Sequence, residues 1–163
     1  AERSLDTEGE DLATKISDIA AVHELVGNYE EALKLRLRAL NVAEKTYGPV
    51  HAIVADCAAG LAGLYQLLGR LEDALVLKRR GLAIIETAFG EEDIRVATPL
   101  NNLGGLYFVM NRDTDAEVAF QRALMVKERA FGRESLEVAS TLINLGLVNG
   151  ELGRKDDEIS FLR

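Results

Sequence analysis

A period of 42 residues runs through the sequence and constrains its fold more than any single motif. Segments that begin at Val54, Val96 and Val138 align along their length, with apolar, small and charged residues at shared positions. One further period back, a similar segment begins at Leu12. Repeats of about 20–50 residues are typical of solenoids, in which each unit buries its apolar face against its neighbours.

Small residues mark the turns of each repeat. A column is a set of residues that lie one or more periods of 42 apart. Two columns hold the small residues: Gly27, Gly69, Asn111 and Gly153 in one, and Gly48, Gly90 and Gly132 in the other. Glycine, or asparagine in its place, favours the left-handed residue that follows the last turn of a helix. Each repeat is therefore predicted to contain helix A, a tight turn, helix B and a second turn. The predicted helices lie near 12–26, 30–46, 54–68, 72–88, 96–110, 114–130 and 138–152, and from 156 onward.

The spacing of apolar residues supports this reading. Leu61, Leu64, Tyr65 and Leu68 recur at the i, i+3, i+4, i+7 spacing of one helix face. A single helical hairpin cannot bury such a stripe, whereas stacked hairpins can. The predicted fold is an all-α, right-handed α-solenoid of antiparallel helix–turn–helix repeats, with helix A lining a concave groove.

The register predicts one array over residues 1–163. Its units are the end of a preceding repeat at 1–11, repeats at 12–53, 54–95 and 96–137, and a partial repeat at 138–163. Glu2 and Arg3 lie three periods before Glu128 and Arg129, so a helix B is expected to end within the first residues. We therefore expect the chain to be a piece of a longer array.

Pro99 falls inside the predicted helix A of the third repeat. With Thr98 as N-cap and Pro99 as the first helical residue, the conflict with helix geometry disappears. This helix is therefore predicted to begin later in the register than its neighbours do.

Three sequence runs carry a family resemblance. LAGLY at 61–65, GRLEDA at 69–74 and RAL at 122–124 resemble the tetratricopeptide repeat, whose usual period is about 34 residues. The longer period, together with NNLGGLY at 101–107, resembles the kinesin-light-chain subtype. In kinesin light chains, helix-A asparagines face the groove and help to hold extended cargo peptides. The resemblance implies that role for Asn101, Asn102 and Asn144.

The register places a set of small, amide and acidic residues at inward positions. The predicted partner-binding residues are Asp18, Gln66, Asn101, Asn102, Gly105 and Asn144. Small residues leave room for another chain, and amides can hydrogen-bond to a backbone in either direction. The acids favour a protein or peptide partner with basic residues. The groove is expected to lack the Lys and Arg that clamp a terminal carboxylate in some tetratricopeptide domains.

The net charge of −8 argues against two classes of partner. Nucleic acids and anionic membrane surfaces both attract Lys and Arg, so neither is expected to bind. Cys57 is the only cysteine, which favours a reducing compartment and a cytoplasmic location. Self-association through exposed apolar ends of the array is a further expectation.

Candidate chemical groups fall into structural positions. Acid pairs recur at the start of helix B, where the helix dipole stabilises carboxylates; they are Glu30-Glu31, Glu72-Asp73 and Asp156-Asp157. His51 and Cys57 do not match a recurrent zinc spacing, and His23 is interpreted as a packing residue. The basic column of Arg38, Arg80 and Arg122 is interpreted as a solvated face paired with neighbouring acids. No catalytic, cofactor or metal site is therefore predicted.

These observations predict a non-enzymatic scaffold or adaptor that binds a partner segment in the groove. The alternative is a regulatory array that packs against a neighbouring enzymatic or signalling domain of the same protein.

Overall fold

The computed structural model describes residues 2–153, with side chains from Leu12 onward. Within this range the chain is helical and contains no strand. The elements are α1 (Glu2–Leu25), α2 (Tyr29–Tyr47), α3 (Ala52–Leu67), α4 (Leu71–Phe89), a 3₁₀ turn (Ile94–Val96), α5 (Ala97–Val109), α6 (Asp113–Phe131) and α7 (Leu136–Glu151). The helix predicted from residue 156 lies outside the described residues.

The chain forms two compact units, Ala1–Ala88 and Phe89–Arg163. In the first unit, α1 packs on α2, and α3 packs on both of them. In the second unit, α5 packs on α6, and α7 packs on both. In each unit, a B helix therefore packs against two consecutive A helices, and the first unit also holds nearly all of α4.

The glycine columns form the turns that they predict. The six glycines have φ between 73° and 97°, and Asn111 has φ of 56°. After α3, the N–H of Arg70 donates to the carbonyl of Tyr65 at 2.8 Å, and the N–H of Gly69 donates to Gln66 at 3.0 Å. This pair of bonds is the Schellman motif, which satisfies the last carbonyls of a helix. The same pair of bonds follows α1 and α5.

The start of α5 differs from its prediction in detail. The helix begins at Ala97, three positions later in the register than α3 and α7, so the predicted late start is confirmed. The predicted cap is wrong, because Val96 is the N-cap and Thr98 lies inside the helix. Pro99 is tolerated as the third residue, since first-turn N–H groups have no acceptor within their own helix. Asp93 instead caps the preceding 3₁₀ turn, accepting from the N–H of Arg95 at 2.9 Å.

The start of α1 also differs. This helix begins at Glu2 and continues without a turn, so the boundary predicted near residue 12 is wrong. Asp6 stands where later repeats have the glycine that ends helix B. Gly9 stands where they have a capping side chain, namely His51, Asp93 or Ser135. Without these stop and start signals, nothing in the local sequence ends the helix. The repeat bounds themselves stay a prediction.

Small residues allow helix A to lie close to helix B. In the second unit Gly104 of α5 faces Phe120 of α6, which is 3% exposed. A Cβ atom at position 104 would lie 2.8 Å from two atoms of the Phe120 ring. At neighbouring Gly105 a Cβ atom would have no neighbour within 4 Å. Gly104 is therefore a packing glycine, and Gly105 borders open space.

Two adjacent substitutions separate these roles. Gly104→Ala should lower the free energy of unfolding by about 1–2 kcal/mol, because the strain against Phe120 exceeds the gain in helix propensity. Gly105→Ala should raise it by about 0.5–1 kcal/mol, since it removes backbone freedom without a clash. Urea unfolding followed by circular dichroism measures both. Stabilisation by Gly104→Ala would contradict the packing described above.

Candidate functional site

The predicted groove residues lie on A helices and are accessible to solvent. Asp18 and Asn102 are exposed, whereas Gln66, Asn101, Gly105 and Asn144 are half-buried. The first unit carries Asp18 and Gln66, and the second carries the other four. Among the described side chains, neither Asp18 nor Gln66 hydrogen-bonds to another member of the set. The residues that the structure brings together are Asn101 and Asn144.

An amide pair joins the two A helices of the second unit. The Nδ2 atom of Asn144 donates to Oδ1 of Asn101 at 3.2 Å. The hydroxyl of Thr141 donates to the same oxygen at 3.5 Å. Within the described part of the chain, Nδ2 of Asn101 and Oδ1 of Asn144 have no partner. The pair therefore presents an amide NH₂ group as donor and an amide oxygen as acceptor, the same kinds of group that a peptide unit offers.

Lys127 of α6 extends this polar cluster. Its ammonium group donates to Oγ1 of Thr141 at 2.8 Å and to Oγ of Ser140 at 3.4 Å. Thr141 is fully buried, whereas Ser140 is exposed. Burial lowers the pKa of Lys127, and the carboxylate of Glu137 acts in the opposite direction. A B helix thus contributes a cation to the side on which the A helices present their amides.

The first unit has an open pocket at the equivalent place. Its volume is about 190 Å³, and it is lined by Thr14, Ser17, Arg36, Ile53, Asp56 and Cys57. Ser17 and Cys57 lie 3.9 Å apart through their side-chain oxygen and sulfur atoms. They occupy the same register positions as Asn101 and Thr141, so both units use these positions to connect consecutive A helices.

A half-buried ion pair borders this pocket. The Nε atom of Arg36 donates to Oε1 of Glu24 at 2.7 Å, and the two side chains are 13% and 22% exposed. Gly60 makes room for the guanidinium group, because a Cβ atom there would lie 2.5 Å from Nη1 of Arg36. The arginine therefore fills the space next to a column that holds asparagine in later repeats.

Burial also affects the acids of the pocket. It raises the pKa of Asp56 and that of the Cys57 thiol. Cys57 is a free, buried cysteine, and its sulfur lies next to Ser17 of the neighbouring A helix. The pocket combines a paired arginine, an acid and two hydroxyls, so it can hydrogen-bond to polar groups of a ligand.

Sequence reasoning missed Arg36 and Lys127. The expectation that this surface lacks Lys and Arg is wrong, because both residues reach side chains of the A helices from B helices: Arg36 bonds to Glu24, and Lys127 bonds to Ser140 and Thr141. For Lys127 a signal exists: its column otherwise holds Ala43 and Ile85, which are buried. A charge in an apolar column indicates a side chain that reaches beyond the core.

Other charged groups lie where the sequence places them. Glu30, Glu31, Glu72 and Asp73 lie in the first turns of α2 and α4, and the pair at 156–157 lies outside the described residues. In the basic column, Arg80 pairs with Glu44 at 2.6 Å, and Arg122 donates to the carbonyl of Glu91 at 3.1 Å.

His51 has a structural role that the sequence analysis did not assign. Its Nδ1 atom accepts from the N–H of Ile53 at 3.3 Å and caps α3. Its ring stacks on Tyr47 with centroids 4.5 Å apart. In the described part of the chain, no three His, Cys, Asp or Glu residues are grouped closely enough to hold a metal ion. No helix described there has the length and apolar character needed to span a bilayer.

Arg36→Met should destabilise the protein by about 2 kcal/mol, because Glu24 would lose the partner of its half-buried carboxylate. The control is Lys34→Met, which breaks exposed ion pairs with Glu30 and Glu31 and should leave the unfolding midpoint nearly unchanged. Both are measured by urea unfolding. A comparable loss in the two variants would contradict the importance of the half-buried pair.

Comparisons with known proteins agree with this architecture. The sequence profile of the tetratricopeptide repeat matches residues 11–87 and 95–163. No curated protein sequence matches the chain. Among solved structures, BtubC (BKLC) from P. vanneervenii has a TM-score of 0.84 and 25% sequence identity, and the match covers 92% of this chain and 60% of that one.

Two further structures are similar. A putative kinesin light chain from Podosopora anserina, with nearly identical TPR-like repeats, has a TM-score of 0.83 and 17% identity over 94% of this chain and 72% of that chain. The apo form of RapI has a TM-score of 0.79 and 16% identity, and the match covers 94% of this chain and 41% of that one.

These likenesses confirm the predicted fold class, an all-α solenoid of antiparallel helix–turn–helix repeats. The chain spans less than two thirds of the length of BtubC. Tetratricopeptide repeats are in general protein-interaction modules, and they occur in proteins of unrelated function. The chain belongs to the tetratricopeptide repeat family.

Proposed function

We propose that the chain is a non-enzymatic scaffold that binds an extended peptide segment of a partner protein on the A helices of its second unit. The observation that carries this proposal is the hydrogen-bonded pair of Asn101 and Asn144. The pair is accessible, and it offers a donor and an acceptor to an incoming backbone. General use of the family as interaction modules supports the same conclusion.

Peptide backbone is the ligand that these groups suit best. A backbone N–H can donate to Oδ1 of Asn144, while a backbone carbonyl accepts from Nδ2 of Asn101. Gly105 lies one turn after Asn101 and borders open space, so a second chain can approach α5 closely. Exposed Asn102 can contribute a further amide beside it.

The site also requires little reorganisation. Asn144 and Thr141 both bond to Asn101, so its carboxamide is held in place before any ligand arrives. A binding group that is already ordered loses less conformational entropy on association. Every residue of an extended peptide offers a backbone N–H and a carbonyl. Two fixed amide groups therefore favour recognition of the main chain over one particular side chain.

The remaining partner properties follow from charge and composition. Asp18 is exposed in the first unit and favours a segment that also carries Lys or Arg. The acidic net charge disfavours nucleic acid as the partner. The buried, unpaired Cys57 suits a reducing compartment, so we place this activity in the cytoplasm.

A phage-displayed library of random 12-residue peptides tests the proposal. Enriched peptides are synthesised with a fluorescent label, and their dissociation constants are measured by fluorescence anisotropy. Replacing Asn102 and Asn144 together with Ala should weaken binding about tenfold or more, because each lost hydrogen bond contributes about 1 kcal/mol. The melting temperature should change little, since Asn102 is exposed and Asn144 is half-buried.

Gln121→Ala is the matched control, because it removes an exposed amide from α6 that bonds only to Glu117 at 3.2 Å. It should leave peptide affinity unchanged. The proposal fails if no peptide is enriched over an empty support, or if the double variant binds as tightly as the original protein. A large drop in melting temperature with unchanged affinity would make the asparagines structural.

A further inference from the structure

Three apolar residues on one face of α1 are exposed, although their columns are buried in the later repeats. Leu12, Ile19 and Val22 are 46%, 51% and 58% exposed, and we call these three residues the outer face of α1. The residues that share their columns are at most 6% exposed; they are Val54, Leu61 and Leu64, then Val96, Leu103 and Leu106, then Val138, Leu145 and Val148. The outer face therefore has the composition of a helix–helix interface, and within the described chain no second helix covers it.

The later repeats show which kind of element covers these columns. In the first unit α2 packs against α3, and in the second unit α6 packs against α7. In both cases a B helix lies against the A helix of the next repeat. Each of these B helices carries buried small and aliphatic residues; they are Ala39, Leu40 and Ala43 in α2, and Ala119, Ala123 and Val126 in α6. The complement of the outer face is therefore an amphipathic helix with a stripe of this kind.

The residues before Leu12 do not fold back to supply this helix. The helix α1 is continuous from Glu2 to Leu25, so residues 2–11 extend it along its own axis. The terminal repeats of solenoids usually carry polar residues on their outer side, which keeps them soluble. A group of large apolar side chains at this place instead marks an interaction site.

Arg38 of α2 specifies a charge for the covering helix. One period later, Arg80 of α4 pairs with Glu44 of the preceding B helix at 2.6 Å. The column of Glu44 also holds Glu86 and Glu128, so a glutamate recurs at this position of the B helices. Arg38 is exposed, and among the described side chains no carboxylate lies within ion-pair distance of it. A helix that lies on α1 as α2 lies on α3 would bring its glutamate next to Arg38.

A second copy of the chain does not offer a free helix of this kind in its described part. The apolar stripes of α2 and α6 are buried in their own chain, and so are Leu82 and Ile85 of α4. A second copy could use one of these helices only by exposing part of its own core, which has a large cost in free energy. A helix from a different protein has no such cost.

We propose that the outer face of α1 docks an amphipathic α-helix of a partner protein, with a stripe of alanine and leucine and a glutamate opposite Arg38. Packing of an apolar helix face on an apolar surface is a common mode of recognition. Lys15 and Asp18, exposed on the same helix, can interact with charges at the edge of the docked helix. This surface goes beyond the proposed peptide site, because it involves neither Asn101 nor Asn144.

The probe for this proposal is a synthetic copy of α2, residues 29–47, because α2 packs on α3 in the way proposed for the outer face. A hydrocarbon staple between positions 34 and 38, both exposed in α2, keeps the isolated peptide helical. Fluorescence anisotropy of the labelled peptide should detect binding to the original protein. Ile19→Glu should weaken this binding about tenfold or more, because it places a charge against the apolar stripe of the peptide.

Ile143→Glu is the matched control, because Ile143 lies on the A helix α7 and is 53% exposed. It should leave the affinity for the stapled peptide unchanged, as should the double replacement of Asn102 and Asn144 with Ala.

A double-mutant cycle tests the predicted ion pair with Arg38. Replacing the glutamate at position 44 of the peptide with glutamine should weaken binding to the original protein about threefold. The same replacement should have almost no effect on binding to Arg38→Met, since the cycle isolates the pairwise interaction. If Ile19→Glu is poorly folded, this cycle still tests the position of the docked helix.

Each unfavourable result has a distinct meaning. Absence of binding by the stapled peptide, or equal binding to the original protein and Ile19→Glu, would overturn the proposal, as would an equal loss in Ile143→Glu. Analytical ultracentrifugation of the protein alone tests the other occupant. A dimer that Ile19→Glu dissociates would make a second copy the occupant and would overturn the choice of a partner helix. None of these results would affect the peptide site of the second unit.

Discussion

The left-handed residue after each A helix is the constraint on which the rest of the structure depends. Gly27, Gly69 and Asn111 reverse the chain within a few residues, and the two hydrogen bonds of each Schellman motif leave little freedom in that reversal. Each B helix therefore returns along its A helix in the same register. Because the register is kept, residues one period apart take equivalent places. The Ser17–Cys57 contact of the first unit thus has its counterpart in the Asn101–Thr141 contact of the second.

Most of the fold could be predicted because its signals are local. A glycine column predicts a turn from one residue, since few other residues adopt a positive φ without strain. The missed details are places where such a signal is absent or ambiguous. Asp6 and Gly9 supply neither a stop nor a cap, so α1 extends to Glu2. Pro99 is compatible with several positions in a first turn, and only the capping of the 3₁₀ turn by Asp93 selects among them.

The candidate site was less predictable, because it depends on contacts between residues far apart in the sequence. Asn101 and Asn144 could be identified from the family resemblance and their register. The hydrogen bond between them depends on the spacing of α5 and α7, which no local pattern reports. Arg36 and Lys127 were missed because the register assigns a residue to one face of its helix from the direction of its Cβ atom alone. A long side chain can carry its charged end well away from that direction.

The two units show how one scaffold supports different surface chemistry. In the first unit, Gly60 stands at the register position that Asn102 and Asn144 occupy in later repeats. The space beside it is filled by Arg36 with its partner Glu24. The second unit has Asn144 at that column, and a cation enters instead through Lys127. The units differ at these accessible edge positions, while the alanine column at Ala32, Ala74 and Ala116 is buried throughout and the turn column keeps a positive φ at Gly27, Gly69 and Asn111. Since the core sets the backbone, substitutions at these edge positions can change which groups a partner meets without changing the repeat itself.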